Sequence, residues 1–89
     1  MSIDYKKELV IDRRSIKPIY EQLTKQLEKL LSSARFINDE QLISSDSLVN
    51  LLNINVEEVR KAYQKLEKDN FIRITPDGIP WASKYNRIL

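Results

Sequence analysis

Apolar positions along the chain fall into three helical stripes followed by one stretch of strand-like alternation. Ile19, Leu23, Leu27, Leu30 and Leu31 recur at three- and four-residue steps, which places them on one face of a helix. Pro18 suits the first turn of that helix, where its missing N–H is no loss, so a helix is expected over 18–33, ending at Ser32-Ser33. Glu21, Gln22, Lys25, Gln26, Glu28 and Lys29 fall between the apolar positions and read as its solvated side. A connector follows, with Phe36, Ile37 and Leu42 as anchors. The second helix is expected over 44–53, with Ser44 or Ser45 as N-cap and Leu48, Leu51 and Leu52 turned inward. Asn53 closes it, because asparagine tolerates the left-handed backbone of a tight turn. A third helix, 56–69, opens after Asn55, a good N-cap, with Glu58 placed as in a capping box. Its inner stripe is Val59, Ala62, Tyr63 and Leu66, and Asp69-Asn70 ends it.

The period then changes. Phe71 to Thr75 reads as a strand, Thr75-Pro76-Asp77-Gly78 as a tight turn, and Ile79 to Ser83 as the returning strand. Pro80 cannot donate to a ladder, so the return is expected at an edge. Trp81 is expected to pack this hairpin onto the helices. The predicted fold class is α+β and mainly helical: a winged helix-turn-helix of three helices and a C-terminal β-hairpin wing. An extended N-terminal arm, 1–16, with a short strand at 8–12, would precede the domain at 17–83, and a tail at 84–89 would follow it.

Composition narrows the chemistry. The 89 residues include no cysteine and no histidine. That removes thiolate and imidazole ligands, disulfides and the commonest general base, so neither a cofactor, a metal site nor an enzyme is expected. No run approaches the roughly 20 apolar residues needed to span a bilayer, and 1–12 lacks the apolar core of a signal peptide. A cytoplasmic protein without membrane contact is the expectation. The net charge of +2 says little, but its distribution says more. From Phe36 to Val59 there are five acids (Asp39, Glu40, Asp46, Glu57 and Glu58) and no base, while the rest of the chain has 15 bases and eight acids.

Ile11 to Leu23, with Arg13-Arg14 and Pro18-Ile19-Tyr20 inside it, resembles the opening of GntR-type bacterial transcription regulators. Asn55-x-x-x-Val59-x-Lys61-Ala62-Tyr63-Gln64-x-Leu66-Glu67 is similar to their recognition helix. The Ala62-Tyr63-Gln64 version looks most like the YtrA-like branch of that family. The likeness runs from about 11 to 82. It implies a DNA-binding winged helix of a repressor that acts as a dimer, with the third helix in the major groove and the wing alongside. Such regulators carry a second domain after the wing. A sequence ending at Leu89 therefore reads as a fragment of a longer regulator or as a minimal protein, and its length favours the latter.

The candidate DNA-binding residues are Ser44, Asn55, Glu57, Arg60, Lys61, Lys65 and Arg73. Lys61, Lys65 and Lys68 share a helical face and could track phosphates, or they could simply be solvated. A carboxylate at Glu57 could accept from cytosine, but capping and dipole complementarity of Glu57-Glu58 is the preferred reading. Ser44 and Asn55 match the family and also serve as helix caps. The family's arginine in the second helix is replaced by Asp46. That loss, with the acidic 36–59 segment, defines the alternative: a degenerate winged helix serving as a protein-interaction or dimerisation module, binding a protein partner through those acids. For a homodimer, the arm around Leu9, Val10 and Ile11 is the candidate self-association element.

Overall fold

A computed structural model describes residues 4–33 and 40–83. Phe36, Ile37, Asp39 and the 84–89 tail lie outside that range. Among the described residues the order is α1 (Tyr5–Glu8), α2 (Ile19–Leu31), α3 (Ser45–Leu52), α4 (Val56–Lys68), β1 (Ile72–Ile74) and β2 (Pro80–Ala82). This is the winged helix-turn-helix expected from the sequence, with one added helical turn in the arm.

The helix ends follow from side chains that satisfy otherwise orphaned backbone groups. Ser44 accepts from the Ser47 N–H, and Asn55 accepts from the Glu57 N–H at 2.9 Å. Asn53 and Asn70 have φ of 54° and 65°. Each turns the chain out of a helix and lets the next N–H reach back, Ile54 to the Val49 carbonyl and Phe71 to that of Leu66. Pro18 stands one position earlier than expected, as the N-cap of α2.

The core is the junction of α2, α4, α3 and β1. Leu23, Leu27, Leu31, Leu48, Val59, Ala62, Leu66 and Ile72 are buried there, as the stripes predict. Two positions on α3 differ. Leu52 is only half-buried and Leu51 is exposed, because α3 ends so soon that its last turn overhangs the core. Ile54, within the turn, is buried in their place.

Among its described residues the arm is not extended throughout. Asp4 caps a single helical turn, and Leu9 just after it is buried at 3% exposure. No strand forms at 8–12. Instead the side-chain amides of Gln26 and Gln22 copy a strand's pairing. Gln26 Oε1 accepts from Val10 N–H at 2.7 Å, and its Nε2 donates to the Val10 carbonyl at 2.6 Å. Gln22 grips Asp12 in the same way, at 2.8 and 3.0 Å. These glutamines, read as solvated, thus bind the arm to α2.

In the wing, Arg73 lies opposite Trp81. Gly78 takes φ +86° in the turn, a conformation that glycine adopts without strain. The wing differs from expectation at two points. β2 is not an edge: Leu42 N–H donates to the Pro80 carbonyl and Ala82 N–H to that of Glu40. Pro80 has no N–H to return, and the pairing stops there. Trp81 is half-buried beneath Arg73 on the opposite face of the hairpin from Ile72 and Ala82, which supply the packing.

Candidate nucleic-acid interface

Helix α4 separates two flanks. On one, Arg60, Gln64 and Glu67 rim a groove of about 360 Å³ with the α3 start (Ser45 and Asp46) and the wing (Ile74, Gly78 and Pro80). On the other, Lys61 lies over the Tyr20 ring at 5.4 Å, and Lys65 lines a crevice with Tyr20, Glu21 and Thr24 of α2. The helical wheel explains the split: consecutive residues are rotated by about 100°, so 60 and 64 share a side that 61 and 65 do not.

The candidate residues therefore divide. Ser44 and Asn55 both use their side-chain oxygens as caps. Arg60 Nη1 donates to Glu57 Oε2 at 2.7 Å, an i,i+3 pair whose side chains are each 57% exposed. At that exposure the pair stabilises the helix by at most about 0.5 kcal/mol, and its value is the orientation it gives the guanidinium. Lys65 pairs with Asp69 at 3.1 Å. Arg73 lies on β1 with its guanidinium 5.9 Å from the Trp81 ring centre.

Glu58 departs from the capping-box expectation. Its carboxylate accepts the Tyr20 N–H of α2 at 3.0 Å. That N–H is one of the orphan donors in α2's first turn, so Glu58 caps a neighbouring helix rather than its own. The acidic segment is accordingly no single patch among the described residues. Glu58 faces α2, Glu57 holds Arg60, Asp46 lies at the start of α3, and Glu40 is near the Tyr5 hydroxyl.

Three contributors were not among the candidate DNA-binding residues. Gln64 is exposed on the groove side of α4. Arg13 Nη2 donates to the carbonyls of Leu52 and Asn53, at 3.0 and 2.9 Å. It supplies the positive charge that the last turn of α3 lacks. The available clue was that α3 has no basic residue of its own. Tyr63, buried beneath the groove, donates to the Ile43 carbonyl at 2.6 Å and so ties the connector to α4. Burial raises its pKa, and the Tyr5 phenol nearby adds to the shift. Burial likewise raises that of Tyr5, partly offset by a backbone hydrogen bond at Ile43.

Among the described residues there is no group of three potential metal ligands, and no helix is long and apolar enough to cross a membrane. No family model matches the chain. Over 62 residues it is 36% identical to the HTH-type transcriptional repressor YtrA of Bacillus subtilis, covering 70% of this chain and 48% of that protein. Over 66 residues it is 29% identical to the HTH-type transcriptional regulator YhdI of the same organism, covering 74% of this chain and 14% of that one. The chain thus spans half or less of the length of these relatives. Among solved structures, YtrA from Sulfolobus acidocaldarius, a GntR-family transcription factor, superposes with a TM-score of 0.80 at 27% identity, over 86% of this chain and 81% of that one. Helix order, the asparagine-closed turns and these likenesses agree, and the chain is similar to the GntR-type helix-turn-helix regulators, on their YtrA-like side.

Proposed function

We propose that this chain is a DNA-binding module of a transcription regulator, acting as a repressor in the cytoplasm and not as an enzyme. Helix α4 enters the major groove and the wing lies alongside. The observation that carries this is the exposed face of α4 beside the wing, where Arg60 is held by Glu57 and Gln64 stands one turn on. An oriented guanidinium suits the acceptor edge of guanine, and a glutamine amide suits adenine. Among the described residues Arg60 engages one nitrogen with Glu57, so donors remain for a base.

Glu57 on this reading positions Arg60 and does not itself read a base. Ser44 and Asn55 bring helix N-termini to the duplex, Lys61 and Lys65 lie along its backbone, and Arg73 supports the wing. A homodimer would read two half-sites. Leu9 is buried in its own domain, which leaves Val10, at 69% exposure, as the outward apolar residue of the 9–11 stretch. The acids of 36–59 are dispersed by their internal contacts, and no observation favours a protein-binding module over DNA.

Selection of duplexes from a random pool by the full chain tests the proposal. The expected result is saturable binding with a recurrent motif, weakening as salt rises. No saturable binding even at about 50 mM salt, where electrostatic attraction is strong, would overturn it.

A further inference from the structure

We infer that the loop 13–17 is a second backbone-contacting element for duplex DNA, placed on the side of α4 away from the wing. The inference rests on the DNA-binding reading and says where the missing phosphate contacts are made.

Arg13 fastens the loop to the turn that leads into α4, through the Leu52 and Asn53 carbonyls. Tyr20, three residues beyond the loop, is fastened to the first turns of α4 through Glu58 and Lys61. The loop therefore stands beside the tip of α4, on the α2 flank. The wing residues Gly78 and Pro80 rim the other flank.

Its chemistry suits a phosphate backbone. Arg14 and Lys17 are exposed, and among the described residues neither has an ion-pair partner. The nearby carboxylate of Asp12 accepts the Arg14 backbone N–H at 3.0 Å. Between them Ile16 is fully exposed, at 101%. An isoleucine so displayed offers an apolar surface that deoxyribose carbons can cover. Affinity for duplex DNA comes largely from cations that displace counterions, yet from 40 to 59 the chain has four acids, Glu40, Asp46, Glu57 and Glu58, and no base. The loop supplies, beside the same helix tip, the cations which that stretch lacks.

The test uses the full chain and a duplex it selects, with affinity measured by fluorescence anisotropy over about 50–300 mM salt. Each lost phosphate contact lowers the slope of log affinity against log salt by about 0.9, so Arg14→Ala with Lys17→Ala should make it shallower by about 1.8. Preference among duplexes should be unchanged. Ile16→Ser should weaken binding at an unchanged slope. Lys6→Ala with Lys7→Ala removes equal charge from the exposed surface of α1 and should leave the slope as it was. A loop variant with the slope of the unmodified chain, or an equal fall in the α1 control, would overturn the inference while DNA binding itself stood. An unmodified chain that bound no duplex would instead fell the underlying function.

Discussion

Arg60 and Lys61 are neighbours in sequence yet belong to opposite flanks of α4. Arg60 faces the wing groove, held by a carboxylate one turn back, among polar side chains suited to base edges. Lys61 faces α2, stacked over an aromatic ring, on the flank where the arm loop stands. The contrast separates two tasks that a single basic stripe would have merged. On the proposed function one flank serves orientation and the other charge. Arginine's planar fork and lysine's compact ammonium fit these tasks respectively.

Both flanks depend on one buried line, Val59, Ala62 and Leu66. Leu66→Ala should therefore have the largest effect, a loss of about 2–5 kcal/mol of stability, with both kinds of DNA contact failing together as the fold is lost. Chemical denaturation checks this. Selective loss of one flank's contacts in a destabilised protein would break the picture of a shared support.

Next come the flanks themselves. Arg60→Ala should cost about 1–3 kcal/mol of discrimination at one base position. Lys61→Ala should weaken binding to all duplexes alike and reduce the salt slope by about one. Competition titrations against point-substituted duplexes separate these outcomes. Identical behaviour of the two variants would erase the distinction between the flanks.

A smaller effect is expected at the link between them. Glu58→Ala leaves the Tyr20 N–H without its partner and should cost about 0.5–2 kcal/mol, the range of a lost helix cap. It should also raise non-specific DNA affinity, since one acid near the duplex is gone. Glu58→Gln keeps an acceptor and should recover most of the stability. Equal stability of the alanine and glutamine variants in thermal melts would mean that the capping bond contributes nothing. Smallest of all, Leu51→Ala should change stability by less than about 0.5 kcal/mol, since the side chain is already exposed.

The fold was largely legible because its helices announce themselves twice, by stripe and by cap. Ser44, Asn53, Asn55 and Asn70 mark ends that periodicity alone would leave loose. The arm was harder. Gln22 and Gln26 look solvated because their partner is a backbone segment, which carries no sequence code. Glu58 was misread for a related reason: the capping-box pattern is local, whereas the donor it satisfies belongs to a residue 38 positions away. Leu51 and Leu52 failed because a helix as short as α3 cannot bring all three of its leucines to the core. The lysine stripe was correctly seen as one helical face, but which neighbour that face meets is a tertiary fact. Only once α2 is docked does Lys61 find Tyr20.

Amide chemical-shift mapping of the full chain titrated with a selected duplex tests the central claim most directly. The account predicts perturbations at 56–64 of α4, at the wing turn 77–78 and at the loop 13–17, with the amides of α1 and of the C-terminal half of α2 unmoved. Perturbations concentrated on α1 and the 25–31 face, with α4 silent, would contradict it.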